Sequence, residues 1–216
     1  MPIEKAEQAI LIPPLGLQGS LGLPPSAEGI VIFAHGSGSS RLSPRNRFVA
    51  DALGRAGLAT LLLDLLTEEE AQDRANVFDI PLLADRLQAA ARWARQAPAT
   101  RSLPVGYFGA STGAAAALQA AAADKEIAAI VSRGGRPDLA GQALGFVQAP
   151  TLLIVGGNDQ EVLALNRAAQ RRLHCENRLE IVPGASHLFE EPGTLEAVVE
   201  LARSWFHDHF ANAKRT

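Results

Sequence analysis

The sequence predicts an α/β protein: a three-layer α/β/α sandwich built on a mostly parallel, twisted sheet. Three observations carry this. Short apolar runs alternate with longer amphipathic ones along most of the chain, and strand–helix alternation implies parallel pairing. The short runs are apolar on both faces, which a sheet tolerates only when helices cover both of its sides. The chain has 216 residues, 47% of them hydrophobic and 20% charged, enough for one sizeable core. One domain over residues 1–216 is expected.

Each element has its own signal. AILIPPLG and LQGSLGLP (9–24) read as a strand pair at one edge. GIVIFAH (29–35) is a β-rich run. SPRNRFVADALGRAG (43–57) is a helix; Ser43 caps it, Pro44 suits its first position, and Phe48, Ala52 and Leu53 supply an apolar face. LATLLLD (58–64) is a strand, and FDIPLLADRLQAAARWARQA (78–97) a helix with Leu83, Leu87, Ala90 and Ala94 at helical spacing. LPVGYFGA (103–110) is a strand and TGAAAALQAAAA (112–123) a helix. IAAIVS (127–132) and TLLIVGG (151–157) are strands, and EVLALNRAAQRRL (161–173) is a helix. RLEIVPG (178–184) is the last strand, and TLEAVVELARSWFHDHF (194–210) closes the chain. ANAKRT at the end has no ordering signal. Two long connections, 65–77 and 133–148, break the rhythm. In such sheets ligands bind beyond the carboxyl ends of the strands, so these loops lie where a pocket belongs.

The stretch Gly109-Ala110-Ser111-Thr112-Gly113 fits G-x-S-x-G, between a strand and a helix. A sharp turn there forces the serine into a strained backbone conformation. Side chains two residues to either side would collide with the neighbouring strand and helix, and glycines remove that collision. The turn lifts the Ser111 hydroxyl into the open above a helix N-terminus. A serine needs a base, and the base an orienting acid. In this architecture the chain order is Ser, then Asp or Glu, then His, each beyond a later strand. Asp159 stands just past TLLIVGG, 48 residues after Ser111, and His187 just past RLEIVPG, 28 residues further on. The oxyanion formed by attack on a carbonyl needs two donors. Thr112, the residue after the nucleophile, supplies one backbone N–H, and Ser37, in the Gly-rich loop after GIVIFAH, supplies the other.

The remaining candidates are weaker. His35 precedes the serine and reads as a loop brace. His174 and Cys175 are adjacent, and His207 and His209 are two apart on a helix, the wrong spacing for a shared face; no metal site is expected. Asp64 and Asp138 read as structural or loop-capping carboxylates.

FAHGSGSS, GYFGASTG, LLIVGGNDQEV and PGASHLFEEPG together resemble the α/β-hydrolase superfamily, and specifically its dienelactone-hydrolase-like branch, over about residues 10–210. The resemblance implies the α/β-hydrolase fold without a large cap domain, with Ser111, Asp159 and His187 catalytic and Ser37 with Thr112 as the oxyanion hole. It implies no cofactor. Dienelactone hydrolases proper use a cysteine nucleophile, and this chain has Ser111 at that place, so the resemblance carries ester chemistry rather than a lactone substrate. Relatives of this kind are sometimes fused to phosphoribosyltransferase-like domains; this sequence has no phosphoribosyltransferase signature.

Arg41, Arg133 and Arg136 fall near the strand carboxyl ends. They read either as loop pins or as a site for a substrate carboxylate, which the planar guanidinium fork binds bidentately. A net charge of −3 argues against nucleic acid or an anionic membrane as partner. One cysteine excludes an internal disulfide, no apolar run reaches membrane-spanning length, and the first ten residues have no signal-peptide pattern. A cytoplasmic enzyme acting on a small-molecule ester is the expectation, with oligomeric state open. Two other readings stand beside it. One is an acyltransferase, or a catalytically idle protein, of the same fold. The other is a nucleotide-binding module, because Gly36 to Arg41 carries two-thirds of a G-x-G-x-x-G fingerprint and Asp64 ends the next strand.

Overall fold

The computed structural model describes residues 7–214. Their centre is an eight-stranded sheet: β1 (Glu7–Ile12), β2 (Leu17–Gly22), β3 (Ile30–Ala34), β4 (Ala59–Leu63), β5 (Val105–Ala110), β6 (Ile127–Arg133), β7 (Thr151–Gly156) and β8 (Asn177–Val182). The spatial order is β1-β2-β4-β3-β5-β6-β7-β8. β1 and β2 are an antiparallel edge pair, β2 meets β4 antiparallel, and β4 through β8 run parallel. The helices are α1 (Pro44–Arg55), α2 (Arg74–Val77), α3 (Ile80–Gln96), α4 (Thr112–Ala123), α5 (Gln160–Gln170) and α6 (Thr194–Ala213).

Strand alternation divides the core. From β3, Ile30, Ile32 and Ala34 join Leu83, Leu87 and Ala90 of α3 on one face. Val31 and Phe33 join Val49 and Leu53 of α1 and the aromatic side chains of α6 on the other. This is the three-layer α/β-hydrolase fold, and no large cap interrupts the described residues. α4 is apolar on nearly every side because it is enclosed by the sheet, by α3 and by residues 137–146. Its alanines permit close approach of all three.

Several boundaries differ from the pattern-based reading. The connection at 65–77 contains a 3₁₀ turn at Glu70–Gln72 and the short α2, each fixed by polar contacts. Glu70 accepts the Thr67 N–H and pairs with Arg86, and Asp73 caps α2. The connection at 133–148 winds through 3₁₀ turns over Pro137–Phe146. The buried stripe of α1 is Asn46, Val49, Ala50 and Leu53; Phe48 is 39% exposed and Ala52 is only partly buried. Ala211–Ala213 continue α6 rather than trailing off, while Arg215 and Thr216, like the first six residues, lie outside the described residues. No helix of the described residues is long and apolar enough to cross a membrane.

Candidate active site

Because β5, β7 and β8 run parallel, the turns that follow them meet at one edge of the sheet. Ser111 occupies the β5–α4 turn with φ 51° and ψ −123°, a conformation that costs an L-residue about 1–3 kcal/mol. The flanking glycines allow it. A Cβ at Gly109 would run into Ala114 Cα, and one at Gly113 into the Ala34 carbonyl oxygen. The turn is tied to the neighbouring loop from both sides: Ser111 N–H donates to the Arg133 carbonyl at 3.3 Å, and Arg136 N–H to the Ser111 carbonyl at 3.0 Å.

Asp159 opens α5, and His187 lies in the turn after β8. His187 Nδ1 is 2.6 Å from Asp159 Oδ2, so Nδ1–H donates to the carboxylate and Nε2 is left as the basic nitrogen. The two turns are clamped together. Asn158 N–H donates to the Ala185 carbonyl, the Asn158 amide to the Gly184 carbonyl, and Ser186 N–H to Glu191.

Ser111 and Asp159 both stand at helix N-caps, and neither side chain caps its helix. Ser43 and Asp79, at equivalent places on α1 and α3, do. A missing cap costs about 0.5–2 kcal/mol. The Asp159 carboxylate is spent on His187 instead. The Ser111 hydroxyl and His187 line one cavity of about 280 Å³, together with Ser37, Arg45, Asn46, Arg133 and Leu188. Ser111 Oγ has no hydrogen bond to His187 among the described residues; such contacts commonly tighten only when substrate arrives.

Ser37 and Thr112 also meet. Ser37 N–H donates to Thr112 Oγ1 at 2.9 Å, joining the Gly-rich loop to the first residue of α4. Thr112 N–H, at that position, has no intrahelical acceptor. On the far side of this loop a second, mostly apolar cavity of about 270 Å³ is lined by His35, Leu65, Val77 and Leu83. Leu188 lines the serine cavity, its neighbour Phe189 is buried, and Phe78 is 49% exposed.

The three arginines part company. Arg41 places its backbone N–H and its guanidinium on Asp64, at 2.7 and 2.6 Å. Arg136 forks onto Asp138 at 2.9 and 2.8 Å, and this pairing raises its pKa. Arg133, the last residue of β6, is 8% exposed and donates from Nη2 to Asn46 Oδ1 at 3.3 Å. Its Nε and Nη1 are buried without a partner. Desolvation, with Arg45 adding repulsion, pulls its pKa down to about 10.

His35 braces two loops: its ring bonds the Gly36 carbonyl through Nδ1–H and accepts the Leu65 N–H at Nε2. Burial holds its pKa below the ordinary value. The unfolded chain therefore binds a proton that the folded ring refuses between that lowered pKa and about 6.5, and stability rises with pH across this window. We expect Tm to fall as pH drops below about 6.5. The slope should be shallower in His35→Asn, measured by thermal melts along a pH series; an unchanged slope would assign the effect to other groups, His209 among them.

Elsewhere, burial raises the Cys175 pKa, the opposite of an activated thiol. His207 pairs with Glu28, and His209 packs edge-on to Trp205. Among the described residues no cluster of His, Cys, Asp or Glu could hold a metal. Asp64, the would-be ribose ligand of a nucleotide site, is occupied by Arg41. Asn46 went unread in the sequence. The signal for Asn46 was there: it is in helical phase with Val49, Ala50 and Leu53, a polar side chain inside the apolar stripe.

Comparison with known proteins bears on the fold and the family. Two Mycobacterium tuberculosis proteins, from strains CDC 1551 / Oshkosh and ATCC 25618 / H37Rv, are 60% identical over 209 residues and carry the provisional name of phosphoribosyl transferase. The alignment takes in 96% of this chain but 47% of each relative, so the chain spans about half their length. The crystal structure of a dienelactone hydrolase from Anabaena variabilis is 55% identical and superposes with a TM-score of 0.90 over 95% of this chain and 98% of that one. A lidless α/β serine hydrolase from Xanthomonas campestris, 23% identical, shares the fold with a TM-score of 0.75 over 96% of both chains. Residues 17–212 match the model of the dienelactone hydrolase family, and with that match and the Anabaena relative the chain belongs to that family.

Proposed function

We propose that this hydrolase cleaves small carboxylic esters, with lactones and thioesters as related substrates, through an acyl-enzyme on Ser111. The observation that carries the reading is the 2.6 Å contact between Asp159 and His187 beside a cavity that also holds the Ser111 hydroxyl. Ser111 Oγ attacks the carbonyl carbon while His187 Nε2 takes its proton. Asp159 fixes the tautomer and stabilises the imidazolium. The oxyanion sits on the N–H groups of Thr112 and Ser37. For Ser37 to donate, the Thr112 hydroxyl that now accepts from it must rotate away. The imidazolium protonates the departing alcohol. Water, deprotonated by His187, then attacks the acyl carbon and returns Ser111.

The test is chemical. A fluorophosphonate probe followed by peptide mapping should place a single adduct on Ser111, and simple esters should be turned over by the unlabelled protein and not by the labelled one. An adduct elsewhere, or full turnover after labelling, would remove this reading.

A further inference from the structure

One peptide plane links the turn of Ser111 to the helix that Asp159 opens. Gly135 C=O and Arg136 N–H belong to the same peptide group, which is planar and trans, so the two point in opposite directions. At one end Arg136 N–H donates to the Ser111 carbonyl at 3.0 Å. At the other the Gly135 carbonyl accepts from Asn166 Nδ2 at 2.9 Å. Asn166 lies on α5, seven residues and about two turns after Asp159, so the two share a face of that helix. Asn166 Nδ2 also donates to the Val162 carbonyl at 2.8 Å, which fixes the amide to its own helix. The loop has little room to shift. A Cβ at Gly135 would run into Ser132 Oγ and stand 2.6 Å from Ala114 Cβ, and one at Gly134 would stand 3.1 Å from the His187 carbonyl oxygen. Residues 134–136 thus lie against the turn of Ser111, the turn of His187 and the helix of Asp159.

We infer that Asn166 is a positioning residue for the reaction: through the Gly135–Arg136 peptide it holds Ser111 in line with His187. This rests on the esterase reading and adds a residue to it. Asn166 is completely buried, and its Oδ1 has no partner among the described residues. A buried polar atom left unpaired is costly, and an apolar side chain of similar size would avoid that cost. What the amide does and leucine cannot is donate two hydrogen bonds. Donation to the Gly135 carbonyl polarises the peptide, so that Arg136 N–H becomes a better donor to Ser111. Ser111 needs such a hold, because its strained φ of 51° relaxes if the turn is released. No hydrogen bond joins Ser111 Oγ to His187 among the described residues, so their alignment comes from the backbone beneath them. Asn166 itself neither lines the serine cavity nor takes part in the Asp159–His187 contact.

The experiment compares wild type with Asn166→Leu on p-nitrophenyl acetate, with rates expressed per folded molecule. The leucine removes both donors and nearly keeps the volume. Its kcat is expected to fall by about 10–100-fold, as a displacement of about 1 Å between reacting groups costs, with KM within about twofold of wild type. The rate constant for fluorophosphonate labelling of Ser111 should fall in step with kcat. The apparent pKa of the kcat/KM profile should stay where it is in wild type, because the carboxylate that holds His187 is untouched. A merely structural amide would lower Tm and leave the rate per folded molecule alone, so a kcat within about twofold of wild type would overturn the inference. A loss confined to KM, or a displaced pH profile, would overturn it as well. Should Asn166→Leu not fold, Asn166→Ser, whose hydroxyl ends one bond short of the amide nitrogen, is read in the same way. Failure of wild type to turn over any ester or to label at Ser111 would instead remove the esterase reading. Hydrogen exchange at Arg136 N–H then still tests the hold on the turn: it should quicken in Asn166→Leu, and unchanged protection would overturn the assignment.

Discussion

Ser111→Ala is expected to lower kcat for ester hydrolysis by about 10⁴–10⁶-fold while leaving the thermal midpoint almost unchanged. The two halves of that result have separate causes. Activity is lost because no other hydroxyl at the β5–α4 turn is held open beside His187. Stability is kept because the Ser111 hydroxyl neither caps α4 nor hydrogen-bonds to His187 among the described residues. The backbone strain at φ 51° is carried equally by alanine. Ser111→Gly should be equally inactive but more stable than wild type by about 1 kcal/mol, since glycine accepts positive φ without penalty. Steady-state kinetics and thermal melts on the three proteins check this together. An alanine variant that retains turnover would exclude Ser111 as nucleophile.

Asp159→Asn is the second large effect. The carboxylate accepts the His187 Nδ1 proton at 2.6 Å and so dictates which ring nitrogen is basic. An amide can present its NH₂ instead, favour the opposite tautomer and leave Nε2 protonated and useless as a base. A fall in kcat of about 10³–10⁴-fold is expected, with KM changing little, because substrate binding does not involve this residue. The same substitution frees the side chain to cap α5, a function the aspartate does not perform. The variant should therefore be no less stable than wild type. A rate within about tenfold of wild type would exclude Asp159 from the proton transfer.

What the sequence disclosed, and what it withheld, follows from the range of the interactions. The parallel strands were legible because burial on both faces leaves a run of apolar residues with no polar alternation, as in Ile30–Ala34. The turns bearing Ser111 and Asp159 were legible because each directly follows such a run, and the His187 turn because Pro183-Gly184 ends the alternating strand before it. The helical turns at 70–77 and 137–146 were not: they are built from local polar contacts, such as Glu70 with Thr67 and Arg86, rather than from an apolar period. The α1 stripe was misplaced by setting its apolar face on Phe48, Ala52 and Leu53, when the phase is set by Val49, Ala50 and Leu53. The arginines could not be told apart by inspection. Arg41 meets Asp64 across the space between two strands, 23 residues away, and only the register of β3 and β4 brings them together. Arg133 was set apart only when its neighbours were known to include no acid.

The strand order has a consequence for durability. His187 is rooted at the end of β8, the outermost strand on its side of the sheet, where Val182 is the single fully buried residue. Ser111 is rooted on β5, near the centre, buried along its whole length. Fraying begins at sheet margins, where local opening needs far less free energy than global unfolding. His187, the proposed general base, can thus be displaced while the scaffold beneath Ser111 remains intact, so that loss of activity is expected to begin at the rim of the sheet before its core gives way.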